Sequence, residues 1–258
     1  MKKIYFALFS LILVACSKEE KTTETVSAPA ENKAEAAAPP APSAALRYAA
    51  NDELNVLAAS GINLRETADA NGTKVTNVPY GAKVKVLADE LGKTAYSVEE
   101  AKDFKIEGHW VKVDFGGKMG YLFDGFLSKW AAPKNQAYDF GAYLDKMCKK
   151  VKSDKTKPKK ANQKDANVFE YERIDYADGT QFTTQAYEGG ASDEIRFAKG
   201  TITLPEAYLL MKALTKGAKM PVCKYDAVKK RIYSEGEMEL VEVMEENGQI
   251  VAHYSVAD

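Results

Sequence analysis

Three cysteines, two histidines and a run of glutamates are the residues of this 258-residue chain from which reaction chemistry would have to be built. Two imidazoles, His109 and His253, exclude a His-rich metal centre. Three cysteines exclude zinc ribbons and iron–sulfur clusters, which need four thiolates. Cys16 ends an apolar run near the N-terminus, whereas Cys148 and Cys223 lie in the second half. A nucleophile at Cys148 with His253 as base would need a third polar group to orient the imidazole, and no motif supplies one. From Glu235 to Glu246 there are six glutamates and no basic residue. Glu237 and Glu239 share a strand face about 7 Å apart, the pattern of paired carboxylates for a glycosidase or a calcium ion. The Asp-x-Asp loop usual at calcium sites is absent, so the stretch reads as a solvated strand or a charged edge. No catalytic set, cofactor or metal is therefore expected. The side chains left to hold a ligand are aromatic: Tyr80, Trp110, Tyr121 and Phe123.

Charge narrows the partners. Lys+Arg 36 against Asp+Glu 37 leaves a net charge of −1, with no basic excess for nucleic acid. Eight lysines and one aspartate fall between Lys149 and Lys164. With no arginine or aromatic among them, they read as a solvated linker or loop.

The four aromatics sit in a region of period-two patterning, residues 47–132. Leu54 and Val56, Ile62 and Leu64, Val75 and Val78, Val84 and Val86, and Trp110 to Phe115 mark short strands. Asn71-Gly72, Pro79-Tyr80-Gly81 and Gly116-Gly117 mark the turns between them. Short alternating strands with Gly-rich turns predict a small all-β barrel or sandwich. An insertion at about 88–108 interrupts the pattern, and its Ser97-Val98-Glu99-Glu100 capping box predicts a turn or two of helix.

These residues resemble the bacterial SH3-like (SH3b) domain. Ile62-Asn63-Leu64-Arg65 is similar to its "LNVR" opening, and Gly81-Ala82-Lys83-Val84-Lys85-Val86-Leu87 to its "G-x-x-V-x-V" strand. Trp110-Val111-Lys112-Val113, Gly120-Tyr121-Leu122-Phe123 and Phe126-Leu127 are similar to its closing motifs, in the same order. The "R-x-x-P" continuation is missing, since Arg65 is followed by Glu66-Thr67-Ala68-Asp69. The resemblance implies a barrel that binds ligand without chemistry: a cell-wall peptide, an envelope protein segment, or nothing where the module is a spacer. Tyr80 and Tyr121, beside turn glycines, are the aromatics expected to reach solvent; Phe123 and Trp110 are shared between core and ligand face.

The N-terminus adds a location. Lys2-Lys3 precedes an apolar run from Ile4 to Ala15, too short for a permanent span of about twenty residues. Its end, Leu13-Val14-Ala15-Cys16, resembles a bacterial lipobox. That implies a lipoprotein signal peptide over 1–15 and acylation of Cys16, hence a lipid membrane as partner. Ser17 is unlike the aspartate that retains some lipoproteins at the inner membrane, so the outer membrane is expected, with orientation open. Residues 16–46 follow as a tether: positions 17–46 hold nine alanines, four prolines and no aromatic, too little apolar bulk to offset backbone ordering.

Residues 136–258 predict an α+β domain. Phe140, Tyr143, Leu144, Met147, Cys148 and Val151 form a helical stripe of three turns. Asp178-Gly179 and Asn247-Gly248 signal hairpins. Thr203-Leu204-Pro205-Glu206 opens a second helix that runs to Thr215-Lys216, with Gly217 as its stop. The order predicts an antiparallel sheet with two helices on one face, giving a multidomain chain in which an SH3-like barrel is followed by this domain. In an oxidising envelope Cys148 and Cys223 are expected to pair as a disulfide. The chain thus reads as a non-enzymatic, membrane-tethered envelope lipoprotein. Its alternatives are an inhibitor or adhesin acting through the second domain, and a cell-wall hydrolase.

Overall fold

The structure, a computed structural model, describes residues 48–91, 95–134, 138–156, 168–215, 223–234 and 238–257. The expected signal peptide, the tether and Cys16 lie outside the described residues. The first half supplies β1 (Glu53–Val56), β2 (Ile62–Arg65), β3 (Lys74–Val78), β4 (Lys83–Leu91), β5 (Tyr96–Ala101), β6 (Phe104–Gly108), β7 (Trp110–Phe115), β8 (Lys118–Phe123) and, after a short 3-10 turn, β9 (Leu127–Ser128). All but β5 and β6 form a seven-stranded sheet, in the order β3-β2-β8-β7-β4-β1-β9. Alternation turns Leu54, Val56, Leu64, Val84, Val86, Val111, Val113, Leu122 and Leu127 into one buried cluster. The sheet wraps this core, but β3 and β9 stay its unpaired ends, so the expected barrel is not closed.

The insertion is not helical. Tyr96–Ala101 and Phe104–Gly108 form an antiparallel hairpin, with Val98 opposite Ile106. Ser97-x-x-Glu100 satisfies a local capping rule, but tertiary packing outweighs it. As a strand, this segment packs Val98 and Ala101 against a core and sends Glu100 to Lys212 as an ion pair.

The second half contributes α1 (Phe140–Met147), β10 (Lys150–Thr156), β11 (Val168–Tyr176), β12 (Gln181–Tyr187), β13 (Gly190–Arg196), α2 (Leu204–Leu214), β14 (Cys223–Asp226), β15 (Arg231–Ser234), β16 (Glu239–Glu246) and β17 (Gln249–Ala257). Its eight strands order as β10-β11-β12-β13-β17-β16-β15-β14, every pair antiparallel. The antiparallel sheet with two helices is as expected. Directly opposite residues share a face, and one cross-strand row runs Ile174, Phe182, Ile195, Ala252, Val243, Ile232, Tyr225. All but Tyr225 are buried, in the same cluster as both helices.

Helix α2 starts where the sequence predicts: Thr203 and Glu206 exchange side-chain and backbone bonds in a full capping box, with Pro205 in the first turn. Helix α1 is shorter than its stripe. The chain turns extended at Cys148 (φ −127°, ψ 145°) and enters β10, leaving Val151 67% exposed. Part of the lysine-rich stretch expected to be linker is thus a strand.

The row at the helix-bearing face does not stop at Tyr225. Phe104, from the insertion hairpin, lies 5.2 Å from the Tyr225 ring and 5.5 Å from Tyr208 on α2. Tyr225 N–H donates to Lys102 O. Trp130, just past β9, lies edge-on to Phe197 at 5.1 Å and donates its indole N–H to Thr201 O at 3.1 Å. The Tyr143 hydroxyl donates to Ala131 O at 2.8 Å. Leu57, Phe104, Ile106, Trp110, Phe123 and Trp130 therefore share one core with Phe140, Tyr208 and Ile232. Residues 46–258 form one compact unit in which the two sheets meet along this seam.

Candidate ligand-binding face

Strands β7 and β8 carry the aromatic residues expected to hold a ligand, and their register divides those residues sharply. Trp110 stands opposite Phe123, Lys112 opposite Tyr121, and Asp114 opposite Met119, all on the face turned away from the first core. The first pair is covered. Trp110 is 5% and Phe123 3% exposed, with Tyr96 of the insertion hairpin packed on both rings at 5.7 and 5.3 Å. Both belong to the seam, so neither offers a ligand face; their expected role as ligand-binding residues is corrected to packing. The last pair is open: Met119 is 62% exposed.

Between them the Lys112–Tyr121 pair extends by one strand, because Arg65 of β2 stands opposite Tyr121 on its other side. Arg65, Tyr121 and Lys112 thus form a row across three strands spaced about 4.8 Å apart. All three are half-buried. Gly120 makes the row possible. A Cβ there would lie 2.6 Å from Arg65 O and 2.9 Å from Leu64 Cγ, so only glycine lets β2 close on β8. Arg65 Nη1 donates to Gly72 O at 2.6 Å, which fixes the guanidinium against the β2–β3 loop. Tyr121 packs against the seam core and stays partly exposed. Chemically the row is a ring flanked by two cations.

Tyr80 is elsewhere. Its hydroxyl donates to Pro133 O at 3.0 Å, and burial pushes its phenol up to about 12. It braces the turn against the chain leaving β9 and stands apart from the row.

The second half has a shallow hollow of about 340 Å³ over β10, β11 and β12, lined by Lys155, Thr156, Glu170, Tyr171, Glu172, Thr184 and Ala186. Two of its charges satisfy each other: Lys155 pairs with Glu172 at 3.0 Å, and Ser153 donates to Glu172 at 2.8 Å. The glutamate-rich strand is also committed. Glu242 holds Arg231 at 2.7 Å, Glu246 holds Arg196 at 3.0 Å, and Glu245 holds Lys230 at 3.3 Å. Glu239 accepts the Tyr254 hydroxyl at 2.7 Å. Glu237, its expected partner in a carboxylate pair, lies outside the described residues.

Cys148 and Cys223 are not joined to each other, so the expected disulfide is not formed. Cys223 begins β14, one end of the eight-stranded sheet, whereas Cys148 caps α1 beside the β11–β12 turn. Its thiol donates to Asp178 Oδ2 at 3.4 Å. The strands joined by that turn, β11 and β12, are six and five places from β14 in strand order, against the Cα separation below about 7 Å that a bridge needs. Burial, then the Asp178 carboxylate, pushes the Cys148 thiol up to about 12, so it stays protonated and a poor nucleophile. His253 is not its partner. Ala252 and Tyr254 face the helices, and Tyr254 meets the Phe140 ring of α1 at 5.4 Å. Alternation sends His253 to the other face.

The sequence motifs named Arg65 and Lys112 without singling them out as site residues. The signal was available in part: both occupy outward positions of alternating strands, but only the register sets them on either side of Tyr121.

The seven strands thus form an open sheet that carries this row on its outer face. Residues 60–128 match the bacterial SH3 domain family. That span takes in β2 to β9, hence the whole row. No curated protein and no solved structure matches the chain.

Proposed function

We propose that this is a lipid-anchored protein of a bacterial envelope whose SH3-like segment binds peptide, from the cell wall or from another envelope protein, without catalysis. The observation that carries the reading is the bacterial SH3 match over residues 60–128, a segment of the cell-wall or peptide binding kind. An outward aromatic with cations on both sides supports it. The anchor rests on the lipobox-like end of the apolar run at Cys16. Two or more acyl chains hold a protein to a membrane where one does not, and Ser17, unlike a retention aspartate, supports the outer membrane as its location.

Two experiments test this. The compact unit 46–258 should sediment with purified sacculi or recover an envelope protein from extract; recovery of neither would end the binding reading. Capture of one secreted protein by intact cells, without sacculus binding, would favour an inhibitor or adhesin. Labelled palmitate should enter the full-length chain and be lost with Cys16→Ala, and that variant should leave the membrane fraction. An alanine variant that stays membrane-bound and uncleaved would remove the anchor.

A further inference from the structure

The charges of the outer face point to the chemistry of the ligand. Four arginines are described: Arg65, Arg173, Arg196 and Arg231. Three hold carboxylates: Arg173 with Asp175 at 3.0 Å, Arg196 with Glu194 at 2.7 Å, and Arg231 with Glu242 at 2.7 Å. Arg65 has no carboxylate partner among the described residues, and its one hydrogen bond, to Gly72 O, leaves most of its donors open. Lys112, two strands away, is half-buried and also has no acidic partner among the described residues. The Tyr121 hydroxyl between them has none either. The acid on the same face of β7 is engaged by a turn. Asp114, the next outward residue of β7, accepts the Gly117 N–H at 2.7 Å. Glu66, the first residue after β2, is exposed and forms no ion pair among the described residues.

Partly desolvating a guanidinium without a counter-ion costs free energy that an anion would return. The spacing specifies the anion further. Arg65 and Lys112 sit two strand spacings apart, about 10 Å, with a flat ring between them. A planar carboxylate suits the arginine fork, the methyl or methylene group beside it suits the Tyr121 ring, and a second carboxylate or a carbonyl suits Lys112. We infer that the row Arg65–Tyr121–Lys112 binds a peptide by a free carboxylate, with Arg65 as the principal anchor. This rests on the peptide-binding reading above and narrows it to a carboxylate-bearing peptide end.

The test uses fragment 46–258 and a fluorescein-labelled stem pentapeptide ending in alanine, as the free acid and as its C-terminal amide. The free acid should bind, with affinity falling as salt rises. The amide, Arg65→Gln and Lys112→Gln should each weaken binding about tenfold, as loss of a charge-assisted hydrogen bond does. Arg65→Gln also loses the bond to Gly72, so Lys112→Gln keeps the test valid should the first variant fold poorly. Equal binding of acid and amide, or wild-type affinity in a folded Lys112→Gln, overturns the inference. So does displacement of the bound peptide by millimolar inorganic phosphate but not by acetate, which would assign the row to phosphate. Sacculus sedimentation separates the two levels. Wild type and both variants sedimenting alike leaves peptide binding standing and removes the row, whereas wild type binding neither sacculi nor peptide removes both.

Discussion

If the two sheets share one core, Phe104→Ala should destabilise the whole unit and not the first half alone. Phe104 is 3% exposed and touches two rings from the second half, Tyr208 at 5.5 Å and Tyr225 at 5.2 Å. Truncating a buried phenylalanine costs about 3–5 kcal/mol, and each ring pair carries about 0.5–1.5 kcal/mol beyond its buried area. Its neighbours belong to a helix and a paired strand, so the hole cannot close freely, and about 4 kcal/mol is expected. With a urea dependence of about 2.5 kcal/mol per molar, the midpoint should fall by about 1.5 M. Tryptophan fluorescence of fragment 46–258 reports the seam, because Trp110 and Trp130 both lie in it; far-UV circular dichroism reports both sheets. Wild type should unfold with the two signals coincident, and Phe104→Ala should move both together. Leu64→Ala, in the other core, should move the same transition by about 2–5 kcal/mol. Two wild-type transitions, of which Phe104→Ala shifts one, would refute the shared core and restore two independent domains.

Denatured fragment 46–258 should titrate two thiols with a disulfide reagent, and a count of zero would restore the Cys148–Cys223 bridge. In the folded protein Cys148 should alkylate slowly at pH 8. Asp178→Asn should accelerate it, while burial, the larger cause, still holds its pKa above the ordinary 9.0. Because the folded pKa is the raised one, the stability tied to this proton is full below about pH 9 and lost as pH rises toward about 12. Unchanged stability in Asp178→Asn across that alkaline range would contradict the assignment. Thr203→Ala removes one side of the capping box and should cost about 1 kcal/mol by the same urea titration; no measurable loss would mean that Glu206 alone satisfies the helix start.

The second half was most legible where local chemistry decides. Asn247 and Gly248 both take positive φ, 52° and 73°, as a tight hairpin turn requires, and the Thr203 cap stands where the pattern puts it. Strand β10 was not legible, since every one of its residues is exposed and a strand with no buried face has no apolar alternation to display. Helix α1 was read too long because Val151 continues the helical spacing by coincidence. The hairpin of the insertion was hidden for a different reason. Its capping-box pattern is local, whereas the contacts that make it a strand lie with Lys212 and Tyr225, more than a hundred residues on. The candidate site was legible by residue type but not by exposure. Trp110, Tyr121 and Phe123 share an outward face, and nothing local to them says that the insertion covers two and leaves the third.

The docking of that insertion also bears on self-association. An eight-stranded sheet ends in two strands whose outer backbone groups invite a neighbouring molecule to add a strand. At β14 the invitation is withdrawn from within, because Lys102 meets Lys224 there in a parallel bridge and takes the Tyr225 N–H. At β10 it is discouraged by charge, with Lys150, Lys152 and Lys155 along the outermost strand. Deleting the hairpin would therefore do more than loosen the seam. It would bare β14 and give the protein a route to edge-to-edge polymers that its sequence otherwise blocks at both ends.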